Sequence, residues 1–135
     1  MPRVHALFSI LVTALVAACG GGDGSGLVQP GNRPPNSISI VPRAETKGTA
    51  AFAPNPLTVS LNGVVHWYND DDAAAGGPYG GSNGTIHTVT AEDNSFLSGN
   101  MIPGSTFEQT FATAGTYPYH CSIHPTMRGT ITVTP

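Results

Sequence analysis

Apolar and polar residues alternate in short runs along the second two thirds of the chain, and turn residues break the runs at intervals of about ten. This is the spacing expected of a β-sandwich or barrel. The pattern predicts strands over 37–42, 57–61, 64–69, 85–91, 106–112, 115–120 and 129–134, with no competing helix signal. Period-2 alternation assigns the faces. Val65 and Trp67 point one way and Val64, His66 and Tyr68 the other, while Ile131 and Val133 oppose Thr130, Thr132 and Thr134. Phe107 and Phe111 share a face with Gln109, which breaks the pattern. Between two of these strands, DDDAAAGGPYGGSNG over 70–84 is too polar and too glycine-rich to pair, and it reads as a surface loop.

The first third behaves differently. Arg3 precedes an apolar stretch, 6–18, that falls short of the roughly 20 apolar residues a bilayer span needs, so 1–18 reads as a signal peptide. The junction Val16-Ala17-Ala18-Cys19 resembles a bacterial lipobox, and that resemblance implies that Cys19 is lipidated and becomes the first residue of a membrane-anchored chain facing the periplasm or exterior. Residues 19–37, dense in Gly, Pro and Ser, cannot bury enough surface to order themselves. They read as a tether with a reach on the order of 20–25 Å. One domain, 38–135, follows.

Composition supports an all-β domain, since charged residues make up only 10% of the chain and Gly is abundant. Net charge is −3 and becomes one unit more negative when Arg3 is removed with the leader; nucleic acid is therefore excluded as a partner. If Cys19 carries lipid, Cys121 is the sole free thiol of the mature chain.

Cys121 is also where the chemistry gathers. In GTYPYHCSIHPTMRGTITV, over 115–133, Cys121, His124 and Met127 recur at intervals of three. Pro118 and Pro125 rule out a helix, so this is a loop joining two strands that can aim all three side chains at one point. A thiolate and a thioether are soft and imidazole is intermediate. Two His and one Cys with a weak axial Met describe a type 1, electron-transfer copper site, whereas structural zinc takes four strong ligands. The second imidazole is assigned to His87 in the run 85–91. Met101 is the alternative thioether, while His66 and His120 read as structural.

HCSIHPTM followed by RGTITV is similar to the copper loop of the cupredoxins, amicyanin, pseudoazurin and plastocyanin among them. That resemblance implies a Greek-key β-sandwich and one copper ion held by His87, Cys121, His124 and Met127. It also implies an electron port at the His124 edge near Ile123 and Pro125. Where the family commonly has Asn after the first His, this chain has Thr88, whose hydroxyl is expected to donate a hydrogen bond to the ligand loop. The implied function is a monomeric, non-enzymatic shuttle of single electrons between redox proteins outside the cytoplasm. Copper storage or delivery is the alternative. The four histidines left once His5 goes with the leader are too few for the extra centres of a multicopper oxidase.

Overall fold

A computed structural model of the chain describes residues 32–72 and 84–135. The expected signal peptide, Cys19, most of the expected tether and the bulk of the 70–84 loop lie outside those residues. Eight strands form: β1 (Ser37–Ile40), β2 (Phe52–Ala53), β3 (Leu57–Ser60), β4 (Val64–Asn69), β5 (Thr90–Ala91), β6 (Thr106–Thr110), β7 (Gly115–His120) and β8 (Arg128–Thr134). Two 3-10 turns, Ala44–Thr46 and Gly48–Ala50, fill the connection from β1 to β2. Among the described residues, no helix is long and apolar enough to cross a membrane.

The strands assemble into two four-stranded sheets, β2-β1-β4-β6 and β3-β8-β7-β5. Every connection from β2 through β7 crosses from one sheet to the other, so neighbours in sequence are rarely neighbours in a sheet. β1 runs parallel to β4, with Ser37 opposite His66, and β3 runs parallel to β8, with Leu57 opposite Ile131. The expected two-layer all-β sandwich is the fold found.

Alternation places the core between the sheets as expected. Val65 and Trp67 on β4 and Ile131 and Val133 on β8 are buried, with their sequence neighbours at least partly exposed. Trp67 reaches from the first sheet to Tyr119 of the second, ring centroids 5.6 Å apart and nearly perpendicular, and Phe52 meets Tyr119 edge-on at 4.8 Å. Full burial of an apolar side chain in such a layer stabilises the fold by about 1.5–3 kcal/mol. Gln109, the irregular member of its face, sits opposite Val65 and turns its amide back to donate to the Thr110 carbonyl oxygen at 2.8 Å.

Two local departures from the expected pattern bear on the site. The run 85–91 pairs as a strand only at Thr90–Ala91, while His87 makes an isolated two-residue bridge with Met101. Within the described part of the expected tether, the Arg33 guanidinium grips both Asp70 carboxylate oxygens at 2.6 and 2.7 Å and lies 4.0 Å over the Tyr68 ring.

Candidate metal centre

β7 delivers its chain end directly into Cys121, and β8 takes over at Arg128, the residue paired with His120. The intervening loop closes on itself. The Cys121 N–H donates to the Met127 carbonyl oxygen at 3.1 Å, and the Met127 N–H to that of His124 at 2.9 Å. An antiparallel pair therefore fixes both ends of the loop, and its internal hydrogen bonds fix the middle. Pro125 follows His124, where it restricts the backbone.

His87 arrives from the opposite side. Its N–H and carbonyl exchange hydrogen bonds with Met101 at 3.1 and 2.8 Å. The Asn69 amide, at the end of β4, donates to the carbonyl oxygens of both Thr85 and Met101 at 2.9 and 2.8 Å. His87 Nδ1 consequently lies 3.8 Å from Cys121 Sγ and 3.3 Å from His124 Nδ1, and His124 Nδ1 lies 3.8 Å from the same sulfur. Three donors of the kinds read from the sequence converge on one point. His87 and Cys121 are fully buried and His124 reaches partly into solvent.

Met127 is fully buried in the same loop. Met101 is also buried, and it meets His87 through its backbone. His66 pairs with Glu108 at 3.0 Å and His120 Nδ1 lies 3.1 Å from a Glu92 oxygen; both stand apart from the cluster.

Burial pushes the Cys121 thiol up, but hydrogen bonds with His87, the Thr88 N–H and His124 outweigh it and bring it down to about 6. The Thr88 N–H donates to Sγ at 3.3 Å, closer than either imidazole nitrogen at 3.8 Å. The Thr88 hydroxyl has the opposite sense to the one expected: it accepts from the Ser122 N–H at 2.7 Å instead of donating to the loop. The Ser122 hydroxyl continues to Thr90 at 2.9 Å, and Thr90 to Thr88 at 3.3 Å. A short chain of hydroxyls thereby stitches the ligand loop to the segment carrying His87.

The residue that sequence reasoning missed is Asp71. The surface-loop reading of 70–84 fails at its start, because Asp71 is buried and its carboxylate meets His87 Nε2 at 2.8 Å. The signal was present in the alternation itself. Val65, Trp67, Asn69 and Asp71 are all buried at every second position, and the inward face runs two residues past the last apolar one. Burial raises the Asp71 carboxyl, and hydrogen bonds from His87 and from the Arg43 and Ala44 N–H groups more than reverse this, so it sits below the ordinary carboxylate range.

A family model described as copper binding proteins, plastocyanin/azurin family, matches residues 41–134. The chain belongs to that family. Copper is the cofactor that plastocyanin/azurin membership brings, and the donor set fits it: a low-pKa thiol and two imidazole nitrogens, drawn together in a largely buried pocket.

Solved structures agree on the plastocyanin/azurin fold. A purple cupredoxin from Nitrosopumilus maritimus is 27% identical with a TM-score of 0.60, over 73% of this chain and 98% of that one. The Cu-containing nitrite reductase NirK from Thermus scotoductus SA-01 is 25% identical with a TM-score of 0.58, over 76% of this chain but 23% of the reductase. A mutant of amicyanin in its Cu(I) form, 24% identical over 73% of this chain and 80% of that one, shares the fold with a TM-score of 0.53.

Proposed function

We propose that this protein carries single electrons between redox proteins outside the cytoplasm, using one type 1 copper held by His87, Cys121, His124 and Met127, and that lipid on Cys19 tethers it to a bacterial membrane. The observation that carries the reading is the convergence of His87 Nδ1, His124 Nδ1 and Cys121 Sγ within 3.3–3.8 Å of one another.

When bound, copper supplies a one-electron couple between Cu(II) and Cu(I). The chain supplies a pocket that scarcely needs to rearrange. The Met101 bridge, the Asp71 carboxylate and the loop's own hydrogen bonds hold the two imidazoles and the sulfur where they are required. The Thr88 N–H steadies negative charge on the sulfur. Burial of His87, Cys121 and Met127 excludes water on three sides. His124 alone reaches solvent, flanked by exposed Ile123 and Pro125, and Ile86 is exposed as well; this edge is the proposed port for electrons.

Among the described residues, the clusters able to hold a metal both include His87, and neither provides the several extra histidines of a second copper centre. A carrier is the reading that this one centre and plastocyanin/azurin membership support. Storage or delivery of copper suits an exposed, exchangeable site, and the burial here favours retention.

Copper(II) added to the purified full-length chain is expected to produce an intense visible band that Cys121→Ser abolishes, together with a reversible voltammetric wave. A colourless wild-type sample ends the copper reading, and rapid loss of metal to a chelator without a wave supports delivery instead. Cys19→Ala is expected to move the chain from the membrane to the soluble fraction; continued sedimentation with membranes counts against the anchor.

A further inference from the structure

The carboxylate of Asp71 has three hydrogen-bond donors around it. Oδ1 accepts from the Arg43 N–H at 2.6 Å, and Oδ2 accepts from the Ala44 N–H at 3.1 Å and lies 2.8 Å from His87 Nε2. An ionised carboxylate only accepts, so His87 donates to it from Nε2, and Nδ1 is the ring nitrogen turned toward Cys121 and His124, the one whose lone pair a metal would take. Asp71 and His87 are both essentially sealed from solvent, so this contact is screened little.

The charge of Asp71 is not matched locally. Arg43 offers its backbone N–H, and no cationic side chain of the described residues hydrogen-bonds the carboxylate. Glu45 adds a second carboxylate within the same cluster, one of its oxygens buried and without a partner. Asp70 next door differs, because its charge is met by the Arg33 guanidinium and the Ser39 hydroxyl.

We propose that Asp71 is a positioning residue for the copper centre: its buried carboxylate locks the His87 ring in the metal-facing tautomer and, as an uncompensated negative charge behind that ligand, holds the reduction potential down by favouring Cu(II). This rests on the copper reading above and adds to it the residue that sets the poise of the site. Partners of this kind behind metal-bound histidines alter metal affinity by about 10- to 100-fold.

The test is voltammetry on the copper-loaded full-length chain with Asp71→Asn, which preserves shape while removing charge, and with Asp70→Asn as a control of equal charge change one residue away. Asp71→Asn is expected to weaken Cu(II) binding about 10- to 100-fold and Cu(I) binding less. Each tenfold difference between the two states raises the potential by about 59 mV for a one-electron couple. Asp70→Asn is expected to leave the potential nearly where it was.

An unchanged potential in Asp71→Asn, or an equal rise in both variants, overturns the proposal. If Asp71→Asn does not load copper, nitrogen NMR of the diamagnetic Cu(I) wild-type chain decides. A slowly exchanging His87 Nε2–H supports it, and an unprotonated Nε2 overturns it. A wild-type chain that never colours with copper fails the parent reading before Asp71 is reached, whereas a coloured chain with an unmoved potential fails Asp71 alone.

Discussion

Gly129 shows how far single atoms are specified. It faces Tyr119 across the β7–β8 ladder, and a Cβ at that position would overlap the Tyr119 ring. Tyr119 is fully buried between Trp67 and Phe52 and cannot swing away. Gly129→Ala is therefore expected to cost about 1–3 kcal/mol, read as a lower urea midpoint with an unchanged slope. At this scale the sequence spoke clearly where residue type and spacing coincide. Cys121 and His124 could be picked out by their chemistry, and His87 by its strand-like run and the resemblance to the cupredoxins. Asp71 was missed, because a run of three aspartates at the end of a strand looks like a solvated turn unless the inward alternation is followed past Trp67 through Asn69. Thr88 was noticed for the right reason and given the wrong direction, since a hydroxyl both donates and accepts and only geometry chooses between the two.

Strands were legible to the extent that they alternate. β4 and β7 run over the residues expected, and β1, β3, β6 and β8 differ from expectation by one or two residues at an end. β2 was not seen, being two residues lodged among prolines, and 85–91 shrank to β5 because His87 bonds Met101 instead of a long neighbour. The parallel pairing of β1 with β4 was also beyond a reading of local pattern, since partners so far apart leave no mark on either segment. That pairing is fastened at one end by Arg33 and Asp70. Burial raises the Asp70 carboxyl, but hydrogen bonds from Arg33 and Ser39 outweigh it and set it below its ordinary value. A carboxylate depressed in the folded state stabilises fully above its unfolded value, about 3.9, and the contribution is lost as pH falls through the lower folded value. Arg33→Gln is thus expected to be about 1 kcal/mol less stable than wild type at pH 6, with the gap narrowing as acid drives the pH below the unfolded value, as measured by urea denaturation across that range.

For the molecule as a whole, the metal centre draws on both sheets. Asn69 at the end of β4 and Asp71 two residues beyond it reach it from one, and Cys121 extends from β7 of the other. A ligand that binds only the folded chain stabilises it by mass action, about 2.7 kcal/mol at one hundred times the dissociation constant. For a domain of this size that corresponds to a rise on the order of 10–20 °C in melting temperature. Copper is expected to produce such a rise in calorimetry, and Cys121→Ser to forfeit it. The visible band should bleach at the same temperature at which the far-ultraviolet β signal is lost. Separate transitions would mean that the pocket can open without the sandwich coming apart.

Distance along the chain adds a consequence for how the protein is made. His124 is three residues from Cys121, but His87 is 34 away and is brought in only when the two layers close. A freshly made, still extended polypeptide offers passing ions only the loop's own donors, a partial hook that many metals could occupy fleetingly. The selective cavity appears only once assembly is complete, so the vessel is shaped first and filled afterwards.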